Sequence, residues 1–135
     1  MDNIPFFTEL ISPYNVPLTV EKIIGIATQK QWQNPALHDM QQTLANNGRE
    51  VRPVQVIELC KTEFSGQILD KNDERIVSVL MPCRISVYEK NDGKTYISLF
   101  DVKAMTTQMP AAMAKVLQCA ADEMIRIVNT AIAPD

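Results

Sequence analysis

LMPCRISVYEKNDGKTYISLF, residues 80–100, reads as two strands around a tight turn. Its register decides which side chains enter the core, and two turns compete. A two-residue Asp92-Gly93 turn sets Tyr88 against Ile97 and Ile85 against Phe100, but Val87 against Ser98 and Ser86 against Leu99. A three-residue loop, Asn91-Asp92-Gly93, puts Gly93 in the left-handed position of a bulge. It then pairs Val87 with Ile97, Ile85 with Leu99, Tyr88 with Tyr96 and Ser86 with Ser98. The second register sorts apolar from polar side chains, which one buried face requires. Cys83 then joins Ile85 and Val87 on the apolar face, and Arg84 takes the opposite one.

Upstream, VQVIELC, Val54–Cys60, is rich in β-branched residues, and Pro53 suits a strand entrance. Alternation puts Val54, Val56, Glu58 and Cys60 on one side, with Gln55, Ile57 and Leu59 on the other. A short helical or irregular stretch around residues 64–69 leads to RIVSVL, which reads as another strand. Nearer the start, after an apolar opening around Phe6, Phe7 and Leu10, Thr19 is the expected N-cap of a first helix. That helix carries Val20, Ile23, Ile24 and Ala27 and ends near Lys30. Asn34-Pro35 reads as the start of a second helix with Leu37, Met40 and Leu44 on its apolar face, stopped by Asn47-Gly48. Downstream, Pro110 opens a long helix whose apolar face runs Met113, Val116, Leu117, Ala120, Met124, Ile127, Val128 and Ala131. Helices around an antiparallel hairpin define the α+β class.

The 135 residues fit one domain, 1–135, and 46% hydrophobic residues suffice for a core without staples. A net charge of −3 argues against a nucleic-acid partner. No apolar run approaches the roughly 18 residues of a membrane span, so no membrane partner is expected. The opening MDNIPFFTEL lacks the basic region of a signal peptide, which makes the cytoplasm the expected compartment. Three widely spaced cysteines without a C-x-x-C and a single histidine leave too few ligands for a zinc centre, so no metal is expected. The chain has no Gly-rich phosphate loop, and Ser86 and Ser98 lack an activating base.

The segment from VQVIELC through LMPCRISVYEKNDGKTYIS resembles the family known as domain of unknown function 302. The likeness rests on a strand ending in Cys60, a short helical stretch, Pro82-Cys83, and the hairpin signature Val87-Tyr88-Glu89 with Asp92-Gly93-Lys94. It implies a curved antiparallel sheet backed by helices, in a TATA-binding-protein-like arrangement, and a homodimer. It leaves the activity and any cofactor open. The chain departs from the family where Lys61-Thr62 stand in place of Asn-Pro, and residues 31–35 fit the family's second strand poorly.

The candidate site is Glu58, Cys60, Pro82 and Cys83, with two thiols and a carboxylate around one cavity. Arg84 or Lys61 could lower a thiol pKa there. The plainer reading makes both cysteines buried space-fillers beside Ile85 and Val56. Met81, Met105, Met109 and Met113 suit a packed core better than a soft-metal site, and Cys119 suits helix packing. His38 is expected on the second helix, facing solvent without an acidic partner, and Trp32 and Tyr14 as loop anchors. These residues fit a small binding or sensing module with a small-molecule ligand. The alternatives are a thiol-dependent redox or sulfur-transfer enzyme, and a protein-interaction module without thiol chemistry.

Overall fold

The structure, a computed structural model, describes residues 4–134; the acidic opening at Asp2 lies outside them. Five antiparallel strands form one open sheet in the order β1-β5-β4-β3-β2: β1 Phe7–Ser12, β2 Gln33–Asp39, β3 Val54–Cys60, β4 Cys83–Glu89 and β5 Thr95–Phe100. The helices are α1 Val16–Gln29, α2 Met40–Ala45, α3 Thr62–Leu69, α4 Val102–Thr106 and α5 Ala111–Ile132, with a 3-10 helix at Asp73–Leu80.

The hairpin takes the register expected from the three-residue loop. Ser86 faces Ser98, Val87 faces Ile97 and Tyr88 faces Tyr96. Gly93 sits at φ +79°, a conformation that costs any side-chain-bearing residue about 1 kcal/mol or more. Its N–H donates to the Lys90 carbonyl at 3.0 Å, and the Lys90 N–H closes the loop on the Lys94 carbonyl at 3.1 Å. That register propagates across the sheet, because β3 sets Ile57 against Ile85 and Leu59 against Cys83. One face therefore collects Ile57, Leu59, Ile85, Val87, Ile97 and Leu99, all buried. Against it pack α1, through Val16, Val20, Ile23 and Ala27, and the C-terminal half of α5, through Met124, Ile127, Val128 and Ala131.

Several sequence expectations change. Helix α1 begins at Val16, capped by Asn15, whose side chain accepts the Leu18 N–H at 2.9 Å. Pro17 fits inside the first turn, where its missing N–H is no loss. Thr19 is thus no cap; it is fully buried, its hydroxyl 2.7 Å from that of Ser12. The stretch expected to start the second helix is instead β2, an edge strand on β3, and the helix begins only after Asp39. Pro35 is tolerated because the register shifts between Gln33 and Ala36 and the strand has one free edge. RIVSVL is not a strand. Both edges of β3 are already taken by β2 and β4, so these residues coil into the 3-10 helix, burying Val77 and leaving Ile76 and Val79 exposed. The apolar opening, given no element from sequence, supplies β1 on the edge of β5.

Replacing Ile85 with alanine is expected to cost about 2–5 kcal/mol in urea unfolding, from lost burial and the cavity left behind. Ser86→Ala, one residue along on the opposite face, is expected to stay within about 0.5 kcal/mol. Equal losses at the two positions would contradict this one-sided core.

Candidate functional site

The main core does not extend under the whole sheet. The N-terminal half of α5 leans on a smaller cluster, in which Ile68 of α3, Val77 of the 3-10 helix and Met113 are buried beside Leu80, Met81 and Leu117. Between the two clusters lies a cavity of about 90 Å³. Its walls come from Trp32 beyond α1, the ends of β3 and β5, the start of β4, α3, the 3-10 helix, α4 and α5, so distant stretches of chain must fold before it exists.

Cys60 and Cys83 both line it, from neighbouring strands, and Pro82 lies beside them. Cys83 reaches it from the core face, opposite Leu59, while Cys60 turns in at the strand terminus, its Sγ 3.9 Å from the Ser65 hydroxyl. Burial pushes the Cys83 thiol up to about 11, with the neighbouring Cys60 adding to the shift. Among the described residues neither Arg84 nor Lys61 draws it back down. Both thiols are half-buried.

Glu58 does not join them. It stands on the opposite sheet face, where its Oε2 lies 2.7 Å from His38 Nε2. His38 is therefore on β2 with an acidic partner, contrary to the solvent-facing helical position expected of it; antiparallel pairing with β3 brings residues 20 apart together. Cys119 is exposed rather than packed, because it falls just off the buried stripe of α5.

Sequence reasoning missed the most substantial wall. Trp32 is buried and lines the cavity, its ring centroid 5.9 Å from that of Phe64. A helix end places it. Beyond α1, Gln31 adopts φ +67°, its N–H bonds the Thr28 carbonyl at 3.0 Å, and the Trp32 N–H returns to the Ala27 carbonyl at 2.9 Å. This paired closure usually has glycine at the turn, and with glutamine there the sequence carried no signal for it. The indole N–H then donates to Glu123 Oε1 at 2.7 Å, and Lys61 Nζ approaches the same oxygen at 2.6 Å. Burial pushes the Glu123 carboxyl up, but the bonds from Lys61 and Trp32 and the Lys61 charge outweigh it, and its pKa falls below the usual 4.5. Met105 and Met109 also line the cavity, with Met81, while Met113 packs in the smaller cluster.

Comparisons with known proteins bear on the family and the fold. The family described as Domain of unknown function DUF302 matches residues 8–131. An uncharacterized conserved DUF302 protein from Bacillus stearothermophilus, solved as a crystal structure, has a similar fold, with a TM-score of 0.83 at 17% identity over 95% of this chain and 98% of that one. No curated protein matches.

A carboxyl with a depressed folded pKa stabilises the fold above its ordinary pKa and ceases to as pH falls through the folded value. Glu123→Gln is therefore expected to lower stability by about 1 kcal/mol at pH 7. The gap from wild type should shrink as urea midpoints are measured below pH 4.5. A gap that persists unchanged into acid would mean the carboxylate charge is not what holds Lys61 and Trp32.

Proposed function

Because the chain belongs to the DUF302 family, whose name carries no activity, we propose from the site itself that it is a small-molecule binding module whose ligand occupies the Cys60–Cys83 cavity. The observation that carries this reading is an apolar cavity lined by both thiols, where burial pushes the Cys83 thiol up to about 11. A nucleophilic or resolving cysteine needs thiolate at neutral pH, supplied by a cation, a base or a helix N-terminus. Here burial acts the other way, which favours neutral thiols as polarisable lining over a thiol-dependent redox or sulfur-transfer enzyme. Thioethers of Met81, Met105 and Met109 extend the same soft surface. The size suits a small ligand, well below the roughly 300–1,000 Å³ of drug-sized sites.

The partner reading is a homodimer formed through the uncovered sheet face. Phe7 and Phe100 stack there with centroids 5.6 Å apart, and Ile11 lies on the same side; all three are about half exposed. Helices cover only the other face, and an apolar strip along an edge strand is a surface that folded chains usually bury.

Two experiments test these readings. Under native conditions between pH 6 and about pH 9, iodoacetamide is expected to alkylate Cys119 and leave Cys83 unmodified, with sites assigned by mass spectrometry. Rapid alkylation of Cys83 below pH 8 would restore the enzyme reading. In light scattering behind size exclusion, the wild type should run at twice the chain mass and Phe7→Glu at the chain mass; a monomeric wild type ends the dimer reading.

A further inference from the structure

What the cavity offers a ligand follows from what its polar side chains already do. The Trp32 indole N–H donates to Glu123 Oε1 at 2.7 Å, and the Lys61 ammonium donates to the same oxygen at 2.6 Å. The Ser65 hydroxyl donates to the Lys61 carbonyl at 3.4 Å. That of Thr106 donates to the Lys103 carbonyl at 3.3 Å and accepts from the Gln118 amide at 2.8 Å. Arg84 follows Cys83 along β4 and so alternates onto the opposite sheet face, across from Glu58. Among the described residues no buried side-chain nitrogen or oxygen lacks a hydrogen-bond partner. Burial keeps the Cys83 thiol protonated at neutral pH, so it adds no charge. The remaining walls are carbon and sulfur, from residues such as Phe64, Ile68, Met105 and Met109.

Resting on the binding reading above, we propose that the cavity takes an uncharged, apolar molecule of about four non-hydrogen atoms and rejects polar molecules of the same size. An ion entering it would shed its hydration where the one nearby ammonium is already matched by Glu123. A hydroxyl would give up its bonds to water and find no free partner among these side chains. An apolar ligand loses nothing on entry and gains dispersion contacts with polarisable sulfur and aromatic rings.

Volume sets the size. An apolar cavity of about 150 Å³ accepts benzene, with its six carbons. A cavity of about 90 Å³ then holds about four such atoms by the same measure. Ethyl methyl sulfide, propan-1-ol and acetate all have that size and differ in polarity and charge.

Trp32 is the only tryptophan in the chain and lines the cavity, so its fluorescence reads occupancy directly. Wild type is expected to bind ethyl methyl sulfide saturably in the millimolar range. Propan-1-ol should bind about tenfold more weakly or worse, and acetate at matched ionic strength should leave the emission unchanged. Cys83→Met, which lengthens a wall side chain into the space, should weaken the sulfide about tenfold. The three wild-type titrations decide the polarity whether or not that variant folds. If propan-1-ol or acetate binds as tightly as the sulfide, the polarity inference fails and the cavity reading stands. If no compound perturbs Trp32 up to its solubility limit, or if folded Cys83→Met binds the sulfide unchanged, both fall.

Discussion

The left-handed backbone at Gly93 governs more of this molecule than any other single feature. It closes a three-residue loop, and the loop length fixes which residues of β4 and β5 face one another. Side chains alternate strictly along a strand, so a slip of one residue would exchange the two faces completely. Val87 and Ile85 would turn to solvent, and Ser86 and Tyr88 would meet α1 and α5. Cys83 would leave the cavity with them. The binding site and the hydrophobic core thus depend on the same turn, although Gly93 lies at the far end of β4 from the cysteine.

The cavity itself arises from a mismatch in lengths. Helix α5 runs 22 residues, and its C-terminal half together with α1 suffices to cover the central strands. The remaining turns project past the ends of β3, β4 and β5, where short elements fill in: α3, the 3-10 helix and α4. Short helices carry narrow apolar faces and cannot reproduce the dense interdigitation of a helix laid across a sheet. Flexible Met81, Met105 and Met109 adapt to the irregular space without closing it. Glu123 then ties the rim, one oxygen receiving both the Trp32 indole and the Lys61 ammonium, so that β3, α5 and the end of α1 meet at a single carboxylate.

The other sheet face is organised by polar contacts. Tyr88 donates to Glu9, which also accepts Lys90 at 2.9 Å, and the Lys90 ammonium sits 4.2 Å above the Tyr96 ring. Burial, followed by the Glu9 bond, raises the Tyr88 hydroxyl to about 12, so it remains a donor throughout the physiological range. These contacts stitch β1 to β4 across β5. They leave Phe7, Ile11 and Phe100 as the apolar part of an otherwise polar surface.

Strict local patterns make much of this legible in the sequence. The alternation in Val54–Cys60, the Asn91-Asp92-Gly93 loop and the long stripe of α5 each carry their information within a few residues, and each appears as read. Alternation set the strand sides of Cys60 and Cys83, but the pairing of β3 with β4 that makes them neighbours came from the fold. What local pattern could not decide was competition for a partner. Residues 34–44 have a helical spacing, yet the first half is captured by the edge of β3; RIVSVL has strand composition, yet both edges of β3, the strand before it, are already taken. Glu58 shares a strand side with Cys60 but meets His38, and Trp32 enters the cavity through a turn for which glutamine gives no signal. By itself the sequence determined period, turn and face, because those are properties of neighbouring residues. Which edges were free, which carboxylate met which cation, and where a cavity remained were decided only when distant segments packed together, since each depends on what else already occupies the space.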